Sequence, residues 1–177
     1  MKKFLLVAFA LFSLNIQAQD ATVSKKSLFS INFLLPGFEY EASLSETTTL
    51  DMALGFGFAY RSSMFGEGYG IFPGLTGQYR WFYNLDKRLE KGKSIDNNTG
   101  NYLALHAGGQ SGKPIFGNLA YNADFFGSVG PVWGLQRYYG SGFKLGLHLG
   151  AGYAFNNLGD SGFSPILGFR LGWLLGK

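Results

Sequence analysis

The sequence predicts an all-β fold, an antiparallel up-and-down transmembrane β-barrel of about eight strands. Three observations carry that expectation. Segments of about ten residues or slightly more alternate with a period of two, the mark of strands with two unlike faces. Beyond the N-terminus no apolar run reaches the roughly 18 residues that a membrane helix needs. The face opposite the apolar one is mostly Gly, Ala and Ser, with about one or two charges per strand, whereas a water-facing surface carries a dense mixture of Lys, Glu, Asp and Arg. A soluble barrel would leave the Leu- and Phe-rich face as large exposed patches. Lipid outside and a cramped lumen inside account for both faces.

The chain begins with Met1-Lys2-Lys3, an apolar run over 4–14, and Ile16-Gln17-Ala18. Cation, short apolar run and small residue in that order predict a secretory signal peptide over 1–18, with the barrel over 19–177. Loss of Lys2 and Lys3 would lower the formal net charge from +4 to +2, which gives a nucleic-acid partner little support. The chain has no cysteine, so an exported fold would be held by its hydrogen-bonded sheet.

The clearest strand is 143–155, where Phe143, Leu145, Leu147, Leu149, Tyr153 and Phe155 oppose Lys144, Gly146, His148, Gly150 and Gly152. The first segment is 28–35. Pro36-Gly37 ends it as a turn or a bulge, because the alternation changes phase there. Segments 38–45 and 49–61 follow, then 69–83, in which Pro73 fits a bend or an unpaired position. In 84–92 the spacing of Leu85 and Leu89, with Gly92 as a stop, predicts a short helical connection on the periplasmic side, read as solvated. The remaining segments are 102–109, 120–136 with Tyr121 outward, 143–155 and 163–175.

Parity assigns Glu39, Glu41, Asp51, Arg61, Arg80, Asp124, Lys144, His148 and Arg170 to the lumen. Their charges cancel, and buried ions must be paired, so the expectation is a plugged, salt-bridged interior. Up-and-down tracing puts Trp81, Tyr83, Trp133 and Trp173 at one interface and Tyr60, Tyr69, Tyr121 and Tyr153 at the other, two aromatic girdles. Met64, Phe65, Ile115 and Phe116 stand at exterior loop tips, as headgroup contacts or a possible partner site.

Catalytic patterns fail in turn. His106 has no companion at metal-ligand spacing. Gly112-Lys113 lacks a phosphate loop's remaining residues, with Ala107 five positions before and Pro114 after. No G-x-S-x-G elbow occurs. The expectation is therefore no enzyme, no cofactor and no metal.

The stretches S-I-N-F-L-L-P-G-F-E-Y-E-A-S-L-S, Y-R-W-F-Y-N-L-D-K-R-L-E-K-G-K and G-N-Y-L-A-L resemble the small outer-membrane β-barrel families of Gram-negative bacteria. The resemblance spans most of the chain beyond residue 18 and carries no active-site residues. It implies residence in the bacterial outer membrane, contact with outer-membrane lipids, and insertion by the barrel assembly machinery. The functional expectation is an envelope-structural or surface-interaction role. A narrow channel for small solutes is the alternative, and an envelope lipid-modifying enzyme a third reading.

Overall fold

The computed structural model describes residues 22–23, 27–34, 36–63 and 66–175. The expected signal peptide, Met64 and Phe65 lie outside the described residues.

The fold is all-β. Its strands are β1 (Leu28–Asn32), β2 (Gly37–Ser43), β3 (Thr48–Ser63), β4 (Gly66–Phe82), β5 (Gly100–Ser111), β6 (Phe116–Gly117), β7 (Phe125–Tyr139), β8 (Phe143–Asn156) and β9 (Ser161–Leu175). Hydrogen bonding runs β3-β2-β1-β9-β8-β7-β5-β4, and the β3–β4 pairing returns the series to its start. Eight antiparallel strands thus form a ring, with β6 as a two-residue addition to β4. A walk around the ring from β1 back to β1 climbs about twelve residues, the stagger that tilts strands in a closed barrel.

The two prolines of uncertain role each have a local reason. Pro36 closes the β1–β2 turn, and pairing resumes at Asn32↔Gly37, so this is a hairpin and not a bulge. Pro73 sits just past the last β4–β5 pair, Gly74↔Gln110, where the ladder on that side needs no donor.

One segment corrects the sequence reading. Residues 120–124 are not strand, and Tyr121 does not lie on the outer face. Gly112 N–H donates to the Asp124 carbonyl and Tyr121 N–H to the Gly112 carbonyl, which ties 112–124 into a loop folded over the barrel mouth. Tyr121 then packs on Phe72 and Phe126, with ring centroids 5.2 and 5.4 Å away.

The opposite end is capped as well. α1 (Leu85–Glu90) and a 3-10 turn over Asp96–Asn98 fill the connection from β4 to β5. Leu85, Asn98 and Thr99 are buried, and Leu85 joins Val23, Phe82 and Tyr102 in one apolar cluster. Tyr138 N–H donates to Thr99 Oγ1, stitching this segment to β7. Most charged residues of the connection are solvated, as the sequence predicts, but Asp86 Oδ1 is buried and the ends of the connection form the floor of the barrel.

Outward positions form an apolar surface on every long strand, including Leu54, Phe58, Leu75, Leu105, Leu149 and Leu167. Trp81, Tyr83, Trp133 and Trp173 lie toward the capped end, where Trp133 Nε1–H donates to the Tyr83 hydroxyl. Tyr60, Tyr69 and Tyr153 lie toward the mouth.

Candidate functional site

The site is built from inward residues of six strands at mid-height. Glu39 and Glu41 come from β2, Asp51 from β3, Gln78 and Arg80 from β4, Gln136 from β7, Lys144 from β8 and Arg170 from β9. Glu39, Glu41, Asp51, Arg80 and Lys144 are almost wholly buried. Cross-strand register brings them together: Glu41 pairs with Asp51, Asp51 with Gln78, and Gly146 with Arg170. A glycine beside a long cation is the recurring device, since Lys144 faces Gly172 and Arg170 faces Gly146. The missing side chain leaves room for the long one to cross the lumen.

Three carboxylates meet three cations. Arg80 Nη2 lies 2.8 Å from Asp51 Oδ1 and 3.6 Å from Glu39 Oε1, and its Nη1 lies 3.7 Å from Glu41 Oε1. Its Nε donates to Gln78 Oε1 at 2.8 Å and its Nη1 to Gln136 Oε1 at 3.2 Å. Its guanidinium also stacks on the Tyr102 ring at 4.7 Å. Arg170 Nη1 donates to both Glu39 Oε1 and Asp51 Oδ1 at 2.8 Å, and Nη2 to Thr76 Oγ1 at 3.0 Å. Lys144 Nζ donates to Glu39 Oε1 at 2.5 Å. Glu41 accepts from Thr49 Oγ1 and from Gln136 Nε2. Each ion therefore has a counter-ion, the condition under which charges persist away from water. Two acceptor atoms at this site, Asn32 Oδ1 and Asp51 Oδ2, have no hydrogen-bond partner among the described residues.

Above the plug sits a histidine pair, His106 of β5 and His148 of β8, with ring centroids 5.6 Å apart. The hydrogen-bond chain fixes the His106 tautomer. Arg80 can only donate, so it holds Gln78 Oε1 and turns Gln78 Nε2 toward His106 Nδ1, 3.4 Å away. Nδ1 must accept. In the neutral ring the proton then sits on Nε2, as a donor facing the lumen. His148 lies opposite Gly168, and a Cβ at that glycine would run into the imidazole. Gly168→Val is expected to lower stability by about 1–3 kcal/mol in a urea titration. Gly162→Val, where an added Cβ meets nothing within 4 Å, should cost less.

The histidines and Arg170 floor a cavity of about 470 Å³ in the upper half of the barrel. Its walls mix glycines, including Gly55, Gly57, Gly74 and Gly108, with apolar side chains such as Phe126 and Ile166 and with Ser128. The plug thus divides the interior into a filled lower half and an open upper half.

Of the nine residues assigned to the lumen, seven come together here. Two stand apart. Arg61 is exposed near the mouth end of β3, its guanidinium 6.0 Å from the Tyr121 ring centroid. Asp124 precedes β7 and is exposed, paired with Lys113 at 2.8 Å; that partner holds the Lys113 ammonium above its ordinary pKa. Ile115 and Phe116 are exposed beside the mouth. The interior groups not anticipated are Tyr102, His106 and Gln136, all on the inward parity of β5 or β7. Among the described residues no group of three or more His, Asp or Glu is arranged to hold a metal ion. No protein-family model, curated protein or solved structure matches the chain.

Proposed function

We propose that this chain is a bacterial outer-membrane β-barrel whose lumen is shut by an ion-paired plug, in an envelope-structural or surface-interaction role. The observation that carries the reading is an inversion of the soluble pattern. Large apolar side chains lie on the outside of the ring, while Glu39, Glu41, Asp51, Arg80 and Lys144 are buried within it. In water that arrangement would expose the apolar surface and desolvate the ions; in a bilayer the outer face is matched to lipid. The two aromatic zones support the same reading, since Trp and Tyr favour the two interfaces. Contact with outer-membrane lipids follows from it, and insertion by the barrel assembly machinery belongs to the same proposal.

The ion-paired plug across the lumen supports a non-conducting barrel over a narrow channel. Arg80 spans from the β3 carboxylate to the β7 amide, and the segment 84–99 covers the end below it. Refolded into a planar bilayer, the protein is expected to show no steady open events, and sustained conductance would overturn the plug. Heat-dependent gel mobility tests the barrel separately: a folded form that migrates apart from the boiled form is expected.

A further inference from the structure

Above the β1–β2 hairpin the barrel wall is incomplete. The last pairs are Asn32↔Gly172 to β9 and Gly37↔Gly55 to β3. Beyond them, among the described residues, only Phe33 N–H to the Leu171 carbonyl and Phe56 N–H to the Pro36 carbonyl continue the contact. β3 runs on to Ser63 and β9 starts at Ser161, so among the described residues the upper half of each has a strand neighbour on one side only. Two absent strands leave roughly 14 Å between the β3 and β9 axes at ordinary strand spacing. Backbone groups of Phe58, Tyr60, Leu167 and Phe169 face this opening without a ladder partner among the described residues. Pro165, on the same edge, has no N–H to leave unpaired.

The frame of the window is apolar. The hairpin tip carries Phe33 and Leu34, each 53% exposed, and the free edge of β9 carries Phe163 at 82% and Leu167 at 76%, the highest exposures among the large hydrophobics described. Behind it lies the cavity, lined from one edge by Gly55 and Gly57 and from the other by Ile166 and Gly168. The floor is rich in donors, beside one acceptor of the lining, Asn32 Oδ1, that is unpartnered among the described residues. Arg170 keeps N–H groups beyond its three bonds, His106 presents Nε2–H, and His148, 94% buried by its 6% exposure, lines the cavity with no hydrogen bond to either ring nitrogen among the described residues. The plug's carboxylates are turned to its cations.

We propose that this cavity binds a single-chain amphiphile with a carboxylate head, a long-chain fatty acid, taken sideways from the bilayer through the window between β3 and β9. The inference rests on the membrane reading above. A carboxylate accepts only, which matches a floor of guanidinium and imidazole donors. The alkyl chain leaves through the apolar frame, and the volume falls within the range of small-ligand sites. A second copy pairing along the free edges would use the window but would leave the cavity and His148 without a role.

The test is photolabelling in phosphatidylcholine vesicles with a long-chain fatty acid bearing a diazirine beside its carboxylate. Labelling of lumen peptides around His106, Ser128 and His148 is expected, displaced by unlabelled fatty acid at least tenfold better than by the matching alcohol. Gly55→Phe fills the cavity from a position where an added Cβ meets only the Pro36 carbonyl oxygen, at 3.6 Å, and should cut lumen labelling at least tenfold. His148→Leu should weaken acid but not alcohol competition. Label confined to the outer face, equal competition by the alcohol, or a cross-linked dimer through β9 would overturn the site. Each of those outcomes would leave the membrane barrel standing. Absence of label both in the lumen and on the outer-face peptides around the interfacial Tyr60 and Trp173 would overturn both.

Discussion

Arg80→Ala is expected to lower the stability of the vesicle-refolded barrel by about 3–5 kcal/mol. The loss follows from what stays behind. Without Arg80, Glu39, Glu41 and Asp51 face only Lys144 and Arg170, and the Gln78 and Gln136 carbonyl oxygens lose their donor. The carboxylates are buried by the barrel itself and cannot turn to water. Arg170→Ala should follow the same course with a smaller loss, because its side chain is 13% exposed toward the cavity, against 2% for Arg80. Arg80→Lys should rescue little: an ammonium is a point charge and cannot reproduce the planar fork that reaches Asp51, Gln78 and Gln136 together. The deciding measurement is a double-mutant cycle in urea. Arg80→Ala with Asp51→Ala should cost less than the sum of the single changes, by about 0.5–3 kcal/mol. Additive losses would remove the pair from any role in stability.

How much of this was legible in the sequence depends on what alternation can report. Period two assigns a face, and it put Glu39, Glu41, Asp51, Arg80, Lys144, His148 and Arg170 inside. It does not report height. Arg61 has inward parity, yet it lies where β3 outruns the β1–β2 hairpin, so its side chain meets the open mouth. Asp124 fails for another reason: the strand begins one residue later. β5 shows weak alternation because Ala104, Ala107 and the glycines blur its contrast, although Tyr102, Ala104, His106 and Gly108 do share one parity. Capping by 84–99 and the inward turn of Tyr121 depend on contacts far apart in sequence, which no local period encodes. The window is of the same kind. It arises because one hairpin is short, and only the register of its neighbours gives that shortness a consequence.

Leu105→Arg addresses the larger question of what surrounds the barrel. Leu105 lies mid-strand on β5, opposite Pro131 on one side and Tyr79 on the other, and is 59% exposed on the outer face. The size of its effect depends on the medium. On the surface of a water-soluble barrel an exposed Leu→Arg change is nearly neutral, within about 0.5 kcal/mol. At the midplane of a bilayer the same change costs about 2–4 kcal/mol, because the guanidinium must snorkel or draw water into hydrocarbon. The reading proposed here requires the second value in vesicle-based urea titrations. The cost should shrink toward the interface, so Tyr60→Arg, near the mouth end of β3, should lose no more than about 1 kcal/mol. Depth dependence is the sharper test. A uniform loss would indicate damage to strand packing, whereas a maximum at mid-strand falling toward both ends is the profile that only a hydrocarbon layer imposes.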